Sequence, residues 1–322
     1  MFDYKKKKVM EKLMNNGLDA VQSEIVADCF VTSDMYGVTS HGCKMTEAHI
    51  KKMNCGGYNL KPSFKVIKET ASFAVIDGDN AFGPVSAKFC LDFAMEKCKK
   101  SGVYSIFSRN NNTFGPAFYY SLKAAEEGYI AFVCSNSPAQ MAPIGGKEKM
   151  LGTNPFASVI PVPNDNPIII DMATSVVAKS KFKQYKEQGK ELPEGWALDR
   201  EGRPTNDPDE GIQGMVLPMA GFKGYGISML IDIVSGVLSG ASYLDKVGRF
   251  YSENSKNMDV GFYMTVINPS IVMGDEYQNS IQDFVGRLRK SKKSGKGSII
   301  LPGDDRTAFK QKEENKIENF AN

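Results

Sequence analysis

The stretch Val103 to Cys134 reads VYSIFSRNNNTFGPAFYYSLKAAEEGYIAFVC. Val103 to Phe107 is strand-like, Ala117 to Glu127 repeats apolar residues at helical spacing, and Ile130 to Cys134 is strand-like again. Strand, helix and strand in this order predict an α/β sheet. Upstream, Phe64 to Glu69 and Phe73 to Asp77 read as two more short strands, and Ala87 to Lys99 as a helix. Downstream, Tyr225 to Leu238 is apolar nearly all round and carries Gly226, Ser228, Ser235 and Gly236, which predicts a helix buried against close neighbours.

The first 70 residues follow a different period. Residues 5 to 15 read as a helix closed by Gly17. A second helix opens on Asp19 as N-cap with Gln22 three residues on. Its apolar positions Val21, Ile25, Val26, Cys29 and Phe30 recur at helical spacing. It runs out near Asp34-Met35-Tyr36-Gly37, leaving Thr39-Ser40-His41-Gly42 in a connection. A third helix covers Met45 to Met53 and ends at Gly56-Gly57. The expected organisation is a helical segment 1–70, packed with the C-terminal part 280–322, and an α/β region 71–279. No linker rich in Pro, Gly and Ser marks an independent domain, and there are no internal repeats. The basic stretch Arg287 to Gly297 reads as a solvated segment.

The 322 residues are 42% hydrophobic and 24% charged, which suits an ordinary soluble protein. Forty basic against 37 acidic residues leave a net charge of +3. That balance argues against nucleic acid as a main partner and leaves small anions open. The six cysteines form no Cys-x-x-Cys pair and no zinc-ligand spacing, so no metal is expected. Buried reduced thiols in a cytoplasmic protein are the reading they support. No signal-peptide pattern follows the basic amino terminus, and Ile227 to Leu238, broken by Asp232, is too short to span a bilayer.

Histidine is the side chain whose unperturbed pKa lies near neutrality, which suits proton transfer in carbonyl–alcohol interconversion. The chain has two. His49 falls inside a helix, where a surface or structural role is expected. His41 sits in a loop just past a helix end, where catalytic groups concentrate; a merely solvated histidine is the plain alternative. Gly221-Phe222-Lys223-Gly224-Tyr225-Gly226 precedes a helix but lacks the Gly-x-Gly-x-x-Gly spacing, and Gly145-Gly146-Lys147 lacks that of a P-loop. A standard dinucleotide fold is therefore not expected.

Several stretches together resemble the malate/L-lactate dehydrogenase family of the second type, which also holds ureidoglycolate, sulfolactate and diketogulonate dehydrogenases and a cyclic-imine carboxylate reductase. They are Asp34 to Gly42, Asn112-Thr113-Phe114-Gly115-Pro116-Ala117, Asn136-Ser137-Pro138 through Lys147, Leu151 to Pro155, Asp171-Met172-Ala173-Thr174-Ser175, Pro193 to Ala197, Gly221 to Gly226 and Leu301-Pro302-Gly303. Their order covers almost the whole chain.

The resemblance implies an α/β fold of the family's own, distinct from the Rossmann fold, with a helical N-terminal segment, and a homodimer using NAD or NADP. It implies hydride transfer to or from a 2-oxo acid or related carbonyl, with His41 moving the proton. Ser40 would hydrogen-bond the histidine or the substrate, and Asp171 would orient the imidazole; a strand-end carboxylate capping the next helix is the alternative for Asp171. Substrate contacts would come from Lys44, Thr113, Ser137 and Thr153. Cofactor contacts would come from Ile169, Ile170, Asp171, Met172 and Ala173, from Phe222 and Lys223, and from Gly303, Asp304 and Asp305.

Two positions depart from the family. Thr113 stands where a histidine is common, and Met45 where an arginine commonly clamps the substrate carboxylate, with Lys44 beside it. Methionine cannot make a bidentate clamp, and lysine binds as a point charge. Either the substrate differs, or Lys44 or Lys147 supplies the charge, or the site is impaired. The alternatives to a carbonyl reductase are thus reduction of a C=N bond in a cyclic imine carboxylate and a non-catalytic descendant that binds cofactor or metabolite.

Overall fold

The computed structural model describes residues 2–321. Helices α1 (Phe2–Asn15) and α2 (Ala20–Met35) lead through two 3-10 turns, Thr39–His41 and Cys43–Met45, to α3 (Thr46–Asn54). Asp19 caps α2 as its sequence predicts, accepting the Gln22 N–H at 2.9 Å. That satisfies one of the donors a helix start leaves unpaired. Val26, Cys29 and Phe30 are buried, but Val21 is 70% exposed. Gln22 turns inward instead, because its amide reaches the Leu60 carbonyl at 2.9 Å. Val9, Leu13, Phe30, Met53 and Phe82 close a core of their own around these helices.

The chain then runs β1 (Lys65–Glu69), β2 (Phe73–Asp77), α4 (Gly83–Ser101), β3 (Val103–Asn111), α5 (Ala117–Glu126), β4 (Ile130–Ser135), β5 (Phe156–Ile160) and β6 (Ile168–Met172). Helix α6 (Ser180–Glu187), β7 (Ala197–Leu198), β8 (Pro204–Thr205), α7 (Pro208–Gln213) and β9 (Met215–Val216) form a small lobe. There follow α8 (Phe222–Asp232), continued by a π-helical turn at Ile233–Val237, then β10 (Val260–Ile267), α9 (Pro269–Met273), α10 (Glu276–Arg289) and α11 (Asp304–Ala321).

Seven strands make one mixed sheet in the order β1-β2-β3-β10-β4-β5-β6, and β7 to β9 make a second of three. The strands flanking α5 are not neighbours. β10 lies between β3 and β4, antiparallel to both, and among the described residues only β2 and β3 pair in parallel. Along β4, Ala131 and Val133 enter the main core with residues of α4 and α5. Cys134, on the alternate face, meets Ser235 of the π turn, with Sγ 3.7 Å from Oγ. A domain boundary at residue 70 would fall in the β1–β2 hairpin, so the first strand belongs with the sheet.

The C-terminal part touches both regions. The Phe309 ring lies against Gly37 and Lys310 Nζ sits 5.3 Å from the Tyr36 ring, while Val285 and Leu301 pack with Val162 beside the sheet. Arg287 and Arg289 close α10, and residues 290 to 297 are exposed without regular structure.

The expectation for the apolar helix fails on one side. Ser228 donates to the Gly152 carbonyl at 3.1 Å and is buried with Ser235 and Gly236. Phe222, Leu230, Ile233 and Val237 are exposed, and Gly226 on the same stripe meets no neighbour within 4 Å. In a single chain this stripe faces solvent.

Candidate active site

The segment Ser40–His41 is held by the end of α2. Gly37 breaks the helix at φ +76°, a conformation that costs other residues more. Asp34, in the last helical turn, then accepts the Cys43 N–H at 3.2 Å. Gly42 lies so close to Asp34 that a Cβ there would come 1.7 Å from its Oδ1. The histidine is therefore presented by a turn clamped to a helix. His41 Nδ1 lies 2.9 Å from Ser40 Oγ, and Nε2 carries no hydrogen bond among the described residues.

His41 borders a cleft of about 470 Å³. Of the residues read from the sequence, Ser40, His41, Thr113, Ser137, Thr153 and Asp171 line it together, with Met172 and Ala173. They come from four places: the α2–α3 turns, the end of β3, the connection between β4 and β5, and the end of β6. Ser137 donates through its N–H to Asn154 Oδ1 at 3.0 Å, and the Thr153 carbonyl accepts Thr174 Oγ1 at 3.0 Å. Both are thus fixed by backbone-directed bonds. Met45 also lines the cleft, where its Sδ lies 3.6 Å from Tyr251 Oη.

The other expected residues lie elsewhere. Lys44 is exposed and outside the lining, although its charge reaches His41. Ile169 is a core residue; Ile170 is half-buried, outside the lining. Phe222 and Lys223 sit exposed on the first turn of α8. Asp304 is held bidentately by Arg289, at 2.7 Å from both Nη1 and Nη2, and Asp305 is exposed. Lys147 is exposed and outside the cleft.

Asp171 neither bonds His41 nor caps a helix, since α6 begins at Ser180. Its Oδ2 lies 2.8 Å from Arg306 Nη1, an ion pair by proximity without good N–H alignment, because Nη1 has no satisfied hydrogen bond. Arg306 also lies over the Phe118 ring at 5.3 Å. Burial raises the Asp171 pKa, and Arg306 counters only part of that.

Burial first, and the Lys44 charge second, lower the pKa of His41 below its ordinary value. The ring is crowded by protein yet still exposed at the cleft mouth. Desolvation therefore acts in full only when a ligand closes over it. His49 takes the structural role alone. It is buried against Phe30, Phe82 and Phe250, bonds Tyr58 Oη through Nδ1 at 2.7 Å, and is pushed down by burial to about 3, so it stays neutral.

Sequence reasoning missed Lys179, Phe250 and Tyr251, all in the lining. Lys179 stands in a run with Lys181 and Lys183, and no spacing separates a cleft lysine from solvated ones. All six cysteines are free; Cys29, Cys90, Cys98 and Cys134 are buried, Cys43 is half-buried and Cys55 is exposed.

Comparisons with known proteins agree over the whole chain. The sequence model of the malate/L-lactate dehydrogenase family matches residues 2–318. The chain is 38% identical over 293 residues to a malate dehydrogenase of Pyrococcus horikoshii, covering 88% of this chain and 81% of that protein. It is 30% identical over 306 residues to the NAD(+) ureidoglycolate dehydrogenase of Escherichia coli, covering 94% and 87%. The solved sulfolactate dehydrogenase of Methanocaldococcus jannaschii superposes with a TM-score of 0.90 at 34% identity, over 97% of this chain and 90% of that one. Among such relatives, names carry both NAD(+) and NADP(+).

Proposed function

Since this chain belongs to the malate/L-lactate dehydrogenase family, we propose that it transfers a hydride between NAD(H) or NADP(H) and a 2-oxo acid or its 2-hydroxy acid, with His41 moving the proton. The observation that carries this reading is the convergence of Ser40, His41, Thr113, Ser137, Thr153 and Asp171 on one cleft. Ser40 holds Nδ1 of the imidazole, which leaves Nε2 for the substrate. In reduction, charge develops on the carbonyl oxygen and His41 donates its proton there; in oxidation the neutral ring accepts it. Ser137 and Thr153 bound the space in which the substrate lies. Asp171, with Arg306 behind it, sets the negative field at the cleft floor.

The residues present suit a nicotinamide dinucleotide. The Ile169 N–H bonds the Pro302 carbonyl at 2.9 Å, so the start of β6 is tied to the turn before α11. Gly303, at φ +95°, sits where a Cβ would come 2.6 Å from the Ile169 Cβ. Thr307 Oγ1 is buried there without a hydrogen bond, a donor that fits a polar ligand, while Arg306 Nη1 beside it faces the Asp171 carboxylate at 2.8 Å. Asp171, Met172, Ala173 and Gly303 would hold the cofactor, and Asp304, engaged by Arg289, would fix the turn that carries Gly303. Contacts from Asp305, Phe222 and Lys223 would lie outside the cleft. When bound, it supplies or takes the hydride.

The decisive assay incubates purified protein and NADH or NADPH with a panel of 2-oxo acids, diketones and cyclic imine carboxylates. Cofactor oxidation with at least one 2-oxo acid is the expected result. Turnover of the cyclic imine alone would make it a C=N reductase. Cofactor binding without turnover across the panel would make it a binding protein.

The same reading includes a homodimer formed over α8. Phe222, Leu230, Ile233 and Val237 make an apolar stripe, and Phe132 on the sheet is exposed as well. Surfaces of this kind mark association sites. Leu230→Glu with Val237→Glu is expected to halve the mass in sedimentation velocity; an unchanged dimer would place the contact elsewhere. No helix among the described residues is long and apolar enough to cross a membrane. Six free thiols support a reducing, cytoplasmic setting.

A further inference from the structure

Lys179 brings a positive charge into the cleft that holds His41. Its Nζ donates to the Gly214 carbonyl at 2.8 Å, and Lys149 Nζ donates to the adjacent Gln213 carbonyl at 2.9 Å. The end of α7 thereby holds two ammonium groups on consecutive carbonyls. Arg249, beside the cleft residues Phe250 and Tyr251, adds its field to both. No carboxylate lies within ion-pair distance of Lys149, Lys179 or the Arg249 guanidinium among the described residues. Glu253, paired with Lys256, accepts the Arg249 backbone N–H at 3.1 Å and offsets part of the Arg249 charge.

A half-buried pair of like charges without a counter-ion is poised either to lose a proton or to take up an anion. The cleft is also lined by uncharged Met45, which faces Tyr251 and brings no charge of its own. An ammonium has three donors. Lys179 uses one on Gly214 and lies against the Lys149 amino group, so at least one remains for a ligand.

We propose that Lys179, backed by Lys149, is the anion subsite of this cleft and takes the second acidic group, carboxylate or sulfonate, of a dianionic 2-oxo or 2-hydroxy acid. The proposal rests on the dehydrogenase reading above and names its substrate class. A compact point charge accepts tetrahedral sulfonate and planar carboxylate alike, unlike a guanidinium fork. The ionisation of Lys179 agrees with this role. Burial first, then Lys149 and Arg249, push it down to about 7. An anion favours the charged form, so dianion affinity falls as pH rises above that value, by up to about tenfold per pH unit. The groups facing the pair are Arg249 and, on the Lys149 side, Arg200; His41, lowered from its ordinary value, titrates at more acid pH.

The test compares wild type, Lys179→Met, Lys179→Arg and Lys149→Met. Calorimetry with NADH-loaded protein reads the affinities for L-malate and L-lactate without turnover, and steady-state assays read oxaloacetate against pyruvate. Lys179→Met is expected to lower the malate-to-lactate affinity ratio about 10- to 100-fold. Lys149→Met lowers it less, and Lys179→Arg keeps most of it, which excludes a folding defect. An unchanged ratio in Lys179→Met overturns the subsite, as does a wild type that does not prefer malate. So does a variant that loses affinity for NADPH relative to NADH while its ratio holds, because the cation would then serve a cofactor phosphate. If malate binds with the expected ratios but nothing turns over, the subsite stands and the catalytic reading falls.

Discussion

His41→Asn is expected to lower kcat by about 10²- to 10⁴-fold, the range that positioned acid–base groups contribute, while NADH still binds. Asparagine keeps a polar side chain within reach of Ser40 but cannot release or take a proton near neutrality. Stopped turnover with retained NADH binding separates lost proton transfer from a collapsed cleft. The pH dependence gives a second check. Burial and Lys44 lower the His41 pKa, so the protonated acid is present only below a value under the usual one. Reduction should therefore slow as pH rises through that value, and oxidation, which needs the neutral ring, should quicken. The variant should lose this limb in both directions. Near-normal turnover in His41→Asn, or a surviving limb, would mean that another group carries the proton.

The legibility of this molecule follows the range of the interactions. The cap at Asp19, the helices before residue 55 and the two strands around α5 rest on local periodicity and capping, and all lie close to where the sequence puts them. β10 does not. Val260 to Ile267 is one short apolar run among many, and nothing local says that it inserts between β3 and β4, more than 120 residues upstream. The apolar α8 is legible as a helix but not as one with an exposed stripe, because its composition does not say which of its faces the rest of the chain covers. In the site, His41 and Ser40 could be read from a motif next to a helix end. The partner of Asp171 could not, since Arg306 is 135 positions away and sits in a helix whose sequence is otherwise a solvated charge pattern. Lys179 was hidden for a similar reason. Its meaning comes from the Gln213 and Gly214 carbonyls that gather two lysines, not from its neighbours in sequence.

Arg306→Met is expected to cost about 2–4 kcal/mol of stability, with most of that loss tied to Asp171. Removing one member of a fully buried pair costs more, but here the side chains keep 23% and 14% of their exposure, and water screens part of the charge. Methionine retains apolar contact with Phe118, over which the guanidinium lies, so the loss reports charge rather than packing. The sign of the pH effect follows from Asp171. Its folded pKa is already raised by burial even with Arg306 present. The folded state thus holds that proton more tightly than the unfolded chain, and the ionised form present at neutral pH is the less stable one. Falling pH relieves this cost as it passes the folded pKa. Without Arg306 that pKa rises further, and the variant should recover more stability on acidification than wild type does. Asp171→Asn in the Arg306→Met background removes the orphaned charge and should restore about half or more of the loss in denaturant unfolding at one protein concentration. It should not restore turnover if Asp171 and Arg306 act at the cleft floor. A double variant no more stable than Arg306→Met alone would show that the arginine stabilises the fold through Phe118 and α11, independently of the carboxylate in the cleft.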